Sequence, residues 1–121
     1  MTSVLTVDDS ASIRRTIKIA LTNEDYTVTE AADGAEGLRA ADAGKFDLII
    51  TDLNMPVMDG LTMIRELRKK PAHAGVPILF LTTESDAGIK GEAKAAGATG
   101  WVTKPFDPEN LIKVVKRILA K

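Results

Sequence analysis

The sequence contains no cysteine, so disulfides and thiolate metal sites are excluded, which fits a reducing compartment. No apolar run approaches the length of a membrane span, and MTSVLTVDDS has no basic region ahead of its apolar residues. Neither a spanning helix nor a secretory leader is expected, and the chain reads as cytoplasmic, with no membrane partner. A net charge of −1 provides no general attraction to nucleic acid. Linkers, repeats and low-complexity tracts are lacking too, so residues 1–121 read as a single domain.

What is present is ordinary for a soluble globular protein: 45% apolar and 27% charged residues, enough for a core without staples. The charge is unevenly placed. Residues 1–60 carry 5 basic and 11 acidic groups, residues 61–121 carry 11 and 6. That asymmetry matters only if the acids converge in space.

The apolar pattern changes period repeatedly. SVLTV (3–7), TVTEA (27–31), DLIIT (47–51), PILFLT (77–82) and TGWVT (99–103) are short and largely β-branched or apolar, as strands of a covered sheet are. TVTEA alternates, as an edge strand does, and PILFLT is apolar enough for the centre. Between them lie helical stretches. Ile13, Ile17, Ala20 and Leu21 follow a Ser10 cap, residues 34–44 are Ala-rich, and Leu61, Ile64 and Leu67 precede Pro71. Residues 86–96 carry one large apolar group, Ile89, and the last helix opens at Asp107-Pro108-Glu109 before Leu111, Val114, Val115 and Ile118. The order βαβαβαβαβα demands parallel strands with helices on both faces, a three-layer αβα sandwich.

In such sheets ligands bind beyond the carboxyl ends of the strands. Asp8-Asp9, Asp52, Thr82-Thr83 and Thr103-Lys104 all fall at such ends. In the common doubly wound order 2-1-3-4-5 the first and third strands are neighbours, about 4.8 Å apart. Asp8, Asp9 and Asp52 would then crowd one crevice beside Thr82 and the arm of Lys104. Carboxylates so close do not all ionise without a cation, and an oxygen-only set points to Mg²⁺. A carboxylate facing a metal, a lysine and a hydroxyl is equipped to accept a phosphoryl group, with Asp52 at its centre as the nucleophile.

VDDS (7–10), DLNMPVMDG (52–60), LTT (81–83) and KPF (104–106), in this order, resemble a response-regulator receiver domain of the single-domain, chemotaxis CheY-like type. The resemblance implies a flavodoxin-like five-stranded sheet of order 2-1-3-4-5. It implies phosphorylation of Asp52 by a histidine kinase, and Mg²⁺ held by Asp9, Asp52 and the main-chain carbonyl of Asn54, with Asp8 acting through water. Thr82 would turn toward the phosphoryl oxygen and Lys104 would pair with it, with a cis Lys104–Pro105 bond. Trp101 takes the aromatic switch position, where the family more often has Tyr or Phe. Asn54 and Glu84 resemble the positions that tune self-hydrolysis. Residues 86–104 and the exposed side of 107–120 would form the output face of a monomer, for a flagellar motor switch protein or another partner, with a phosphatase as a further visitor. The chain is then a switch that catalyses only its own phosphorylation and dephosphorylation.

Alternatives stand beside these expectations. The chain could serve as a phosphate shuttle or sink in another phosphorelay. An aspartyl-nucleophile phosphatase would place D-x-D after the first strand, and an FMN carrier would need a Ser/Thr/Gly-rich loop there, where VDDSASIRR would repel phosphate. Trp101 could instead be core filler. His73 is expected at the surface without a ligand role, and Arg68-Lys69-Lys70 reads as a helix end complementing its dipole.

Overall fold

The computed structural model describes residues 2–53, 55–83 and 87–120, with only the backbone of residue 87. Five strands, β1 (Ser3–Val7), β2 (Thr27–Ala31), β3 (Leu48–Asp52), β4 (Ile78–Thr82) and β5 (Gly100–Thr103), alternate with five helices. These are α1 (Ala11–Thr22), α2 (Gly34–Ala43), α3 (Gly60–Lys69), α4 (Ala87–Ala96) and α5 (Pro108–Leu119). The strands are parallel in the order β2-β1-β3-β4-β5, the flavodoxin-like arrangement expected from the sequence.

Alternation along the central strands divides the core in two. Val4, Leu48, Ile50, Leu79, Leu81 and Val102 point toward Ile17 and Leu21 of α1 and Leu111 and Val115 of α5. Leu5, Val7, Ile49, Ile78 and Phe80 pack on Met63, Ile64 and Leu67 of α3 and Ala93 of α4. Each fully buried Leu, Ile or Phe contributes roughly 1.5–3 kcal/mol of transfer free energy, and both faces of β3 and β4 are covered. On β2 only Ala31 is buried, as suits an edge. Side-chain caps start four helices: Ser10 accepts from the Ile13 N–H, Asp33 from Glu36, Asp59 from Thr62 and Asp107 from Glu109.

Two expectations are corrected between α3 and β4, where a single 3₁₀ turn, Pro71–His73, intervenes. His73 is not a surface residue. It is 8% exposed, with Nε2 2.9 Å from Asp42 Oδ1 at the end of α2, while Lys70 Nζ lies 2.7 Å from Asp42 Oδ2. Lys70 first, then His73, holds the Asp42 carboxyl below its usual range. Nor does Arg68 merely complement its own helix. Its Nε and Nη2 donate to the Gly97 carbonyl (3.1 and 2.8 Å), and its Nη1 donates to the carbonyls of His73 and Ala74 (2.8 and 3.1 Å). Gly97, at φ +117°, follows the last residue of α4 in a conformation that favours glycine.

Arg68 therefore ties the end of α4 to the connection leaving α3. Among the described residues of α4 only Ala93 is fully buried, so this tie is a large part of what fastens the helix. Replacing Arg68 with Met keeps the aliphatic stem and strands two part-buried carbonyls, those of Gly97 and His73, besides the exposed one of Ala74. The expected loss is about 2 kcal/mol, read as a lower urea midpoint at unchanged slope.

Candidate functional site

The site is built where β1 and β3 end side by side. Val7 pairs with Thr51, so Asp8, one residue beyond β1, comes abreast of Asp52, the last residue of β3. Asp52 continues the row of Leu48 and Ile50 and is 6% exposed; Asp8 is 1% exposed. Asp9, on the open side, is exposed. Asp8, Asp9 and Asp52 each offer a carboxylate oxygen, and these atoms lie within 4.8 Å of one another. Three of the eleven acids in the first half of the chain thus converge.

Lys104, just past β5, reaches into the group. Its Nζ lies 3.1 Å from Asp8 Oδ2 and 3.2 Å from Asp52 Oδ1. The backbone carries it there: the Lys104 N–H donates to the Thr82 carbonyl at 2.8 Å, and the Lys104–Pro105 bond is cis, as expected. Thr82 is buried at the end of β4, one residue beyond Leu81, the register partner of Asp52.

Two further contacts place Asp52. The Leu53 N–H donates to its Oδ1 at 2.9 Å, and the Thr51 hydroxyl donates to its main-chain carbonyl at 2.8 Å. The turn that follows folds back tightly. A Cβ at Gly60 would sit 2.2 Å from the Asp52 carbonyl oxygen, so α3 can start this close to the site only with glycine at its head. In the same loop Val57 is held at φ +68°, and the Met58 N–H bonds the Pro56 carbonyl at 2.7 Å; a β-branched residue at positive φ stores strain.

The electrostatics do not balance. Burial above all, then the neighbouring Asp8 carboxylate, pushes the Asp52 carboxyl above its ordinary range, against the pull of Lys104 and the Leu53 N–H. Among the described residues one ammonium faces three carboxylates. The donors are all oxygen, without imidazole or thiolate, so the set suits a hard divalent cation such as Mg²⁺.

Asp8, Asp9, Asp52 and Lys104 are brought together as expected, with Thr82 beside them. Trp101 is not core filler: it is 46% exposed on β5, tilted against Phe80 (centroids 6.2 Å apart), with Lys90 Nζ of α4 4.9 Å from its ring centroid. Asn54 and Glu84 lie outside the described residues. Sequence reasoning missed Arg14, whose Nη1 donates to the Asp8 main-chain carbonyl and whose Nε lies 3.5 Å from Glu30 Oε1. The available signal was a basic residue one turn beyond the Ser10 cap, on the helix that starts at the acids.

A family model described as the response regulator receiver domain matches residues 4–116. The chain belongs to the response regulator receiver domain family. This receiver domain is similar to the chemotaxis protein CheY4 of Vibrio cholerae, at 47% identity and a TM-score of 0.94 over 98% of both chains. It is also similar to the receiver domain of a Pseudomonas aeruginosa PAO1 sensor histidine kinase, at 30% identity and a TM-score of 0.91 over 99% of this chain and 98% of that one. That structure is described with a magnesium ion coordinated in its active-site cleft. Among curated proteins, the transcriptional regulatory protein ResD of Bacillus subtilis is 35% identical over 99% of this chain and 49% of its own length. The chain spans about half the length of the curated relatives it matches. Receiver domains are two-component signalling switches that bind Mg²⁺ in an acidic pocket, take phosphoryl groups from histidine kinases and dock output partners. No helix among the described residues is long and apolar enough to cross a membrane.

The sign of the Asp52 shift has a consequence for stability. With a folded pKa above the unfolded one, the favourable contribution of the protonated carboxyl is present below the unfolded value and lost as pH rises through the folded one. In Mg²⁺-free buffer at pH 7, Asp52→Asn is therefore expected to stabilise the domain by on the order of 1 kcal/mol. Lys104 keeps Asp8 as a partner, and the gap should shrink as pH falls toward 4. Thermal melts of both proteins across this range, with and without Mg²⁺, provide the check; added Mg²⁺ should raise the wild type more than the variant.

Proposed function

We propose that residues 1–121 form a single receiver unit in which Asp52 accepts a phosphoryl group from a histidine kinase. The observation that carries this reading is the position of Asp52. It is the one carboxylate of the cluster that a doubly covered strand holds rigidly, and Lys104 Nζ stands 3.2 Å from its Oδ1. An Asp52 oxygen attacks phosphorus, the P–N bond of the phosphohistidine breaks, and the imidazole nitrogen leaves with the bonding pair. The product is an acyl phosphate. The same surroundings that raise the Asp52 pKa make its ionised oxygen more basic and hence more nucleophilic. Lys104 neutralises charge on the transferred group, and the Thr82 hydroxyl turns to donate to it. Asp8, Asp9, Asp52 and the Asn54 carbonyl would hold Mg²⁺, which when bound supplies charge neutralisation for the phosphoryl oxygens.

Phosphorylation then biases a two-state equilibrium. Thr82 would be drawn toward the site and Trp101 would exchange its exposed position for an inward one, releasing Lys90. Asn54 and Glu84 would set the lifetime of the acyl phosphate. The output face runs over residues 86–104 and the exposed side of α5, and α4, with its thin buried stripe, is the element most easily reshaped. The likeness to a chemotaxis protein over nearly the whole of both chains favours a motor switch protein as partner of a monomeric domain, with a phosphatase to end the signal. A shuttle or sink in another phosphorelay uses the same chemistry and differs only in the acceptor.

Incubation with acetyl phosphate and Mg²⁺ should produce one acid-stable, base-labile adduct by intact mass, absent from Asp52→Asn. Equal labelling of the variant would place the acceptor elsewhere. Trp101, the one tryptophan, should change emission on phosphorylation of the wild type, and unchanged emission would argue against its movement.

A further inference from the structure

Asp8 is tethered at its N–H, its main-chain carbonyl and both carboxylate oxygens. Its N–H donates to the Ala31 carbonyl at 3.1 Å, its Oδ1 accepts from the Ser10 N–H at 2.9 Å, and its Oδ2 takes Lys104. Its main-chain carbonyl is the acceptor of Arg14 Nη1. Asp9 is the opposite case. It is exposed, and among the described residues its carboxylate makes no hydrogen bond or ion pair. What links the two is one rigid peptide plane, whose oxygen belongs to Asp8 and whose nitrogen belongs to Asp9. Fixing the direction of that carbonyl fixes the direction in which Asp9 departs.

Arg14 does this from a fixed station. Its side chain is 19% exposed, and its Nε faces Glu30 on β2, which Lys18 Nζ also approaches at 3.6 Å. Consecutive residues of β2 therefore both act on Asp8: Ala31 directly, and Glu30 through the guanidinium. The planar fork of arginine can serve a carbonyl and a carboxylate at once, which a single ammonium cannot do with the same geometry.

We propose that Arg14, oriented by Glu30, is a positioning residue for cation binding: it holds the Asp8–Asp9 peptide so that the exposed Asp9 carboxylate is pre-set toward Asp52. The inference rests on the reading above that these carboxylates hold a divalent cation, and goes beyond it by naming what orients them. It also has an unusual sign. A guanidinium close to an acidic pocket repels a dication, so if Arg14 acted only as a charge, removing it would tighten Mg²⁺ binding. If it positions Asp9, removing it weakens binding despite that relief. Loss of an outer residue that orients a metal ligand typically costs 10–100-fold in affinity.

The experiment is calorimetric titration of the folded chain with MgCl₂ at pH 7, for wild type, Arg14→Met, Arg14→Lys and Glu30→Gln. Urea midpoints show that each variant is folded at the titration temperature. Arg14→Met is expected to weaken Mg²⁺ by about tenfold. Arg14→Lys should recover part of the loss, and Glu30→Gln should weaken binding by less than Arg14→Met. Binding by Arg14→Met that equals or exceeds wild type overturns the proposal, as does a lysine variant no better than methionine. Failure of the underlying reading looks different: wild type then binds no Mg²⁺, or Asp52→Asn binds it equally well.

Discussion

Two buried carboxylates share one ammonium. Asp8 and Asp52 are brought together by strand register, and Lys104 stands between them at 3.1 and 3.2 Å. The arrangement is stable enough to fold around and too negative to be neutral, with Asp9 added at the rim. Buried charge that a protein leaves incompletely paired is costly, and sites that carry such a cost are where chemistry is to be sought. Nearly every local feature near the strand ends either builds this imbalance or confines it: the Leu53 N–H, the Gly60 close approach and the Ser10 N–H all fix where the oxygens lie.

The fold supplies rigidity on one side of this group and latitude on the other. β1, β3 and β4 are covered on both faces, so the carboxylates and Thr82 rest on the least deformable part of the molecule. α4 is the contrast. It is fastened at its far end by Arg68 and along its length by the buried Ala93 and the partly buried Ile89 and Ala96, while Lys90 lies over the exposed Trp101. A change of charge at Asp52 therefore meets a stiff floor and a loosely fastened wall, which is the mechanical difference a switch needs.

Much of this is legible in the sequence. The alternation of periods dictated the sandwich, and the strand order 2-1-3-4-5 implied by the resemblance to receiver domains brought Asp8-Asp9, Asp52 and Lys104, all at strand ends, into one cluster. The unread parts depend on side-chain reach across elements distant in sequence. Arg68 looked like an ordinary helix terminus because nothing local says that the carbonyl of Gly97 lies within its span. His73 looked exposed because the 3₁₀ turn that tucks it against Asp42 follows from packing. Gly37 of α2 is a case of the same kind: a Cβ there would meet Met63 Sδ at 2.8 Å and Val7 at 3.0 Å, so its smallness is a packing requirement. Arg14 was hidden for the same reason as Arg68: its acceptor is a main-chain carbonyl, which no side-chain motif records.

Family membership and site chemistry agree on the class of device. The chain is similar both to a chemotaxis protein and to a transcriptional regulatory protein, two different outputs for one kind of domain. The central physical claim is narrower and can be measured directly: Asp52 carries uncompensated negative surroundings that a divalent cation relieves. Carbon-13 NMR titration of the aspartate carboxyl groups reads this. In Mg²⁺-free buffer Asp52 should titrate above the ordinary aspartate range, and Mg²⁺ should bring its midpoint down. A midpoint at or below the ordinary range without Mg²⁺, unmoved when Mg²⁺ is added, would contradict it.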